Sequence, residues 1–142
     1  MSTGELSDEE FLAAVAVAKF PGGKFDHRGH LRMAWICLRG QEFDAGLERI
    51  RVTVRGFATV LGVVEKYHET VTRAWAERIQ AAIEQTPELG TFDAFLGAHP
   101  ELLNPGLLAQ HYRKETLESP GAKAGWVAPD LEPLPRRKQA RE

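Results

Sequence analysis

One cysteine, Cys37, serves the whole 142-residue chain. It excludes an intramolecular disulfide and any cysteine-based zinc site. Long hydrophobic runs are missing too: the longest candidate, 11–18, falls well short of the ~20 residues of a membrane-spanning helix. That run follows Asp8, Glu9 and Glu10, whereas a secretion signal opens on a basic stretch. Without an export signal, a reducing cytoplasm is the expected compartment. Neither sign of charge prevails, since 18 Lys and Arg face 20 Asp and Glu for a net −2. Such a balance gives no overall electrostatic reason to bind nucleic acid or an anionic membrane. The one local exception is the tail, with Arg136, Arg137, Lys138 and Arg141. Strand signals are scarce, because no stretch alternates apolar and polar residues with β-branched enrichment. Motifs of familiar chemistry are absent as well: His-Glu-x-x-His, a Gly-rich phosphate loop, a Gly-x-Ser-x-Gly elbow and the paired Glu-x-x-His motifs of a di-iron bundle.

What remains is the composition of a soluble globular domain, 43% hydrophobic and 27% charged. At this length a single domain buries roughly 68–70% of its unfolded surface. Helix punctuation is frequent. Ser7 and Glu10 form a capping box for a helix over 7–19, and the chain breaks at Phe20-Pro21-Gly22-Gly23. Asp26 as N-cap and Gly40 as C′ bound a second helix, whose stripe is Leu31, Ala34, Trp35 and Leu38. A third runs over 44–61 to Gly62, with Leu47, Ile50, Val54, Phe57 and Leu61 stepping by helical intervals on a core face. Arg49, Arg51 and Arg55 lie mostly off that stripe and read as a solvated face. A fourth helix is expected over 65–85, with Trp75, Ile79, Ala82 and Ile83 inward. Thr91 caps a short fifth helix, and Asn104-Pro105 opens a sixth that reaches Arg113. Ser119-Pro120 begins one short turn. Trp126 and Val127 dock onto the body, and Pro129, Pro133 and Pro135 make an extended strap.

The expected fold is therefore all-α: an up-down bundle of four helices, two short extra helices and a proline-rich C-terminal strap. The domain covers 1–135, followed by a disordered basic tail over 136–142.

The five histidines carry the functional signal. His27 lies four residues before Leu31 and His30 four before Ala34, so both prolong the buried stripe of the second helix. His68 lies seven before Trp75 and does the same on the fourth helix. His111 shares a face with Leu107 and Leu108. Short loops favour antiparallel neighbours, which makes the second and fourth helices parallel and brings His27, His30 and His68 to one end. A helix N-terminus and partial burial both favour neutral imidazole, the form that binds metal or accepts a proton.

The spacing thus predicts a three-histidine divalent metal site, with His111 as a fourth candidate ligand and a position left for water or substrate. The metal would be zinc, iron, copper or nickel, which imidazole does not distinguish. Glu69 is the candidate proton acceptor and Tyr67 the candidate hydrogen-bond donor of a metal-dependent enzyme acting on a small molecule. The alternative is a metal-free small-molecule binding or sensing protein using the same histidines. His99, in a loop before Pro100, reads as structural, and Cys37 as a small buried hydrophobe. Trp126 and the strap are placed equally well to pack on a second subunit, so a homodimer stays open.

Several blocks are familiar: Phe25-Asp26-His27-Arg28-Gly29-His30-Leu31-Arg32-Met33-Ala34-Trp35, then Lys66-Tyr67-His68-Glu69-Thr70. His99-Pro100-Glu101-Leu102-Leu103 through His111-Tyr112 follows, and then Ser119-Pro120 with Trp126-Val127-Ala128-Pro129-Asp130-Leu131 and Pro133-Leu134-Pro135. Together they resemble a family of small, uncharacterised bacterial all-helical proteins. That resemblance implies that all five histidines and the strap belong to one domain, and it carries no reaction with it. A looser likeness is to the four-helix DinB-like metal proteins, which hold a metal with three histidines. This chain lacks their His-x-x-x-His pair on the last helix.

Overall fold

The computed structural model describes residues 6–18 and 26–135. The expected break at 20–23 and the basic tail over 136–142 lie outside them. Among the described residues every regular element is helical: α1 (Asp8–Ala16), α2 (His27–Leu38), α3 (Phe43–Leu61), α4 (Glu69–Gln85), α5 (Phe92–Ala98), α6 (Lys114–Leu117) and α7 (Pro120–Ala124). Three short 3₁₀ turns, Val64–Lys66, Pro100–Leu103 and Leu107–Gln110, complete the order.

Local chemistry sets most of these boundaries. Ser7 Oγ accepts from the Glu10 amide at 3.1 Å while Glu10 Oε1 accepts from the Ser7 amide at 2.9 Å, the expected capping box. Asp26 Oδ1 accepts from the Gly29 amide at 2.9 Å and starts α2. Gly62 ends α3 at φ +75°, a left-handed position that glycine occupies without Cβ strain. Thr91 and Ser119 cap α5 and α7 through their hydroxyls.

The core forms where α2 lies against both α3 and α4, with α1 packed on α3. Leu31, Trp35, Leu38, Leu47, Ile50 and Ile79 are its buried centre. The α2–α3 contact is close because residue 46 is glycine. A Cβ there would meet the Cys37 carbonyl oxygen and Leu38 Cδ2, each at 2.9 Å. Cys37 is fully buried, as its position on α2 predicts, and burial pushes its thiol pKa up to about 11. The stripe of α3 departs from its sequence pattern at the C-terminal end. Val54 and Phe57 are half-buried and Leu61, at the end of α3, is 52% exposed.

Two expected helices are different. The segment over 65–68 is not the first turn of α4: a 3₁₀ turn at Val64–Lys66 precedes an extended His68, and α4 begins at Glu69. The sixth helix from Asn104 does not form. Asn104 Oδ1 accepts from the Gly106 amide at 2.9 Å, which closes a turn rather than capping a helix, and a 3₁₀ turn over Leu107–Gln110 follows.

The strap crosses α4. Thr70, fully buried, donates its hydroxyl to the Gly125 carbonyl at 2.7 Å and accepts from the Val127 amide at 3.0 Å. Tyr112 donates to the Val127 carbonyl at 2.6 Å. Trp126 packs edge-on to Tyr112, at 6.5 Å, and under the Arg73 guanidinium, at 4.4 Å. Trp126 thus anchors the strap to its own chain. Asp130 accepts from the Arg113 amide and the Thr116 hydroxyl, and so steadies the start of α6.

Candidate functional site

Between α2, α3 and α4 the structure holds a cavity of about 450 Å³. Its floor is apolar, built from Leu31, Ala34, Ile50, Val54, Ala76 and Ile79. Its rim is polar: Asp26, His27, His30, Lys66, Tyr67 and His68. The half-buried state of Val54 is accounted for by this void. The parallel placement of α2 and α4 holds in the sense that matters for the site. His27 and His30 at the start of α2 and His68 at the start of α4 reach one cavity. His111 does not line it.

The rings differ in what they offer. A carbonyl oxygen only accepts, so each ring nitrogen facing one carries the proton. His27 Nε2 donates to the Leu102 carbonyl at 2.8 Å, which leaves Nδ1 as the basic nitrogen. The same ring meets Trp75 edge-on at 5.0 Å. His30 Nδ1 donates to the Asp26 carbonyl at 2.9 Å. Desolvation, together with the neighbouring His27, lowers the His30 pKa below the ordinary imidazole value and favours the neutral ring. His68 is the N-cap of α4. Its Nδ1 accepts from the Val71 amide at 3.1 Å and its Nε2 donates to the Leu117 carbonyl at 2.6 Å.

His111 is 2% exposed and serves the strap. Its Nδ1 donates to the Glu132 carbonyl at 2.9 Å, and Nε2 accepts from Arg78 Nη1 at 3.3 Å. The Leu131 amide bonds back to the His111 carbonyl at 2.9 Å, so the histidine grips the strap from both sides. His99 is structural, as its loop position predicts. It is buried against Phe95 at 5.0 Å and hydrogen-bonded to Thr86 Oγ1 at 2.9 Å.

These donors do not fit a three-histidine metal centre as they stand. A metal ligand needs one unprotonated ring nitrogen aimed at the ion while the other is held by a partner. His68 and His111 spend both nitrogens within the chain. Among the described residues no group of three or more His, Cys, Asp and Glu side chains is placed to hold a metal ion.

The expected acid–base pair is also arranged for another task. Glu69 is buried and does not line the cavity. Arg51 Nη2 and Nε both donate to its Oε2, at 2.6 and 2.9 Å, and the Tyr67 hydroxyl donates to its Oε1 at 2.6 Å. Burial by itself would raise the Glu69 pKa. The hydrogen bonds from Arg51 and Tyr67 outweigh it and hold the carboxyl below the usual range. Burial and the bond to Glu69 push the Tyr67 hydroxyl up to about 12. A carboxylate so satisfied is a poor proton acceptor and a good anchor. Arg51, read from sequence as part of a solvated face, is the cation that locks α3 to α4. Arg55 covers the Tyr67 ring at 4.5 Å.

Three residues of this region have roles that the sequence pattern does not assign. Trp75 looked like plain core, but it forms part of the cavity wall. Arg51 sits off the apolar stripe, so periodicity gave it no role. Thr70 has partners 55 and 57 residues away, which no local pattern announces. No helix among the described residues is long and apolar enough to cross a membrane. No protein-family model, no curated protein and no solved structure matches the chain.

Proposed function

We propose that this protein binds a small amphiphilic molecule, with an apolar body and a carboxylate head, in the cavity between α2, α3 and α4, and that it acts by binding or sensing. The observation that supports this most is the division of the cavity into an apolar floor and a polar rim within about 450 Å³, a size in the range of small-molecule sites. Electrostatics favour an anionic head. Both α2 and α4 present their N-termini, the positive dipole ends, to this rim. Lys66 is exposed there and joins no ion pair among the described residues. Among the described residues that line the cavity, the one acidic side chain, Asp26, is engaged in capping α2. His27, held in place by its Nε2 bond to the Leu102 carbonyl, presents its ring on the same rim.

The test is fluorescence titration with anilinonaphthalene sulfonate, an apolar anion, followed by displacement with octanoate. Saturable binding at one site per chain is expected. Val54→Trp, which fills the floor, should abolish it. Lys66→Gln should weaken it a few-fold, because an exposed charge pair contributes about 0.2–1 kcal/mol. Binding that is indifferent to Val54→Trp would refute the reading. So would a stoichiometric transition metal, measured by mass spectrometry, that is present in the wild type and lost in His68→Ala.

A further inference from the structure

A second cavity, about 420 Å³, adjoins the same face of α4. It is lined by Leu108, Ala109, Tyr112 and Leu117 together with His68, Val71 and Trp75. The last three also line the first cavity. They follow one another at intervals of three and four residues, so they form a single ridge along α4. The two chambers are therefore neighbours across one row of side chains. Trp75 is the largest member of that row. It packs on both apolar clusters of the protein, and it is only half-buried.

The chambers differ in polarity. The first carries the histidines and Lys66 on its rim. The second is mainly apolar, and its charged residues, Lys114 and Glu118, pair with each other at 3.9 Å. It offers apolar burial and no net charge to a head group.

We propose that the two chambers are the halves of one ligand site, with Trp75 as the movable partition. The ligand is an unbranched fatty carboxylate, its head at the His27–Lys66 rim and its tail passing Trp75 into the chamber under Leu108 and Leu117. This rests on the proposed use of the first cavity as a carboxylate site. It adds a chain-length requirement that a compact ligand would not show.

The experiment is calorimetric titration of the full chain with hexanoate, octanoate, decanoate and dodecanoate, repeated with Ala109→Trp and, independently, Leu117→Trp. Ala109 is exposed and Leu117 half-buried, so neither substitution intrudes on the fully buried core. Affinity in the wild type should rise about fourfold with each added methylene through dodecanoate, the gain that apolar burial provides. Both variants should bind hexanoate as the wild type does and bind dodecanoate at least tenfold more weakly. A wild-type affinity that levels off at octanoate would overturn the two-chamber site and leave the first cavity standing. Equal weakening of hexanoate and dodecanoate by both variants would overturn it too. Failure of every carboxylate to bind would instead refute the underlying reading, and this inference with it.

Discussion

Thr70→Val isolates what holds the C-terminal strap to the bundle. Valine keeps the branched shape of threonine and replaces the hydroxyl by a methyl. That hydroxyl is fully buried and makes two bonds to the strap, to the Gly125 carbonyl at 2.7 Å and from the Val127 amide at 3.0 Å. Each such bond contributes about 0.5–1.5 kcal/mol net, and a buried polar group left unsatisfied costs about 1–3 kcal/mol. The strap can lift and let water reach its two backbone groups, which limits the loss. We expect a destabilisation of about 2–3 kcal/mol. For a chain of this length each kcal/mol lowers Tm by roughly 3–5 °C. Urea unfolding gives the free energy, and hydrogen exchange at the Val127 amide reports the strap itself. Thr70→Ser is the control. It deletes one buried methyl, at about 1 kcal/mol, but keeps both hydrogen bonds, so Val127 should stay protected. The reasoning fails if Thr70→Val changes stability by less than about 0.5 kcal/mol. It fails equally if Val127 exchanges no faster in the valine variant than in the serine variant.

The Arg51–Glu69 pair gives a pH signature. The Glu69 carboxyl is held below its ordinary value, so its stabilisation is present above the unfolded carboxylate pKa of about 4.3 and is lost as pH falls through the lower folded value. Glu69→Gln should cost about 1–3 kcal/mol at neutral pH, less than a fully buried pair because Arg51 retains a quarter of its side-chain exposure. The gap to wild type should close in acid; urea titrations giving the same gap at every pH would contradict this. For His68, alanine should cost about 2 kcal/mol, from the lost cap of α4 and the lost bond to Leu117. His68→Asn keeps a capping oxygen and should recover about half of that in thermal unfolding. Equal stability of wild type and His68→Ala would show that the ring does not act as a cap.

Much of the fold was legible because its signals are local. A serine three residues before a glutamate, an aspartate opening a helix and a glycine closing one each act within a single turn, and all three work here as their spacing implies. The misread starts have the same origin. His68 caps α4 through Nδ1, yet histidine is not among the residues that usually announce a cap, so the pattern alone runs the helix through it from Glu65. Asn104-Pro105 carries a strong start signal, but the segment behind it closes as a turn and a 3₁₀ helix instead of propagating.

By itself the sequence determined the helical class, most helix ends, and the arrival of His27, His30 and His68 at one end of the bundle. Stripe periodicity and short loops are enough for that. Only the tertiary structure decided what those rings do. The partners of an imidazole are carbonyls brought in by distant segments, Leu102 for His27 at a separation of 75 residues and Leu117 for His68 at 49. No periodicity encodes such pairings. They turn on how the stretch after α5 folds back over α4, and they make His68 the cap of α4 and His27 part of the rim of a largely apolar cavity.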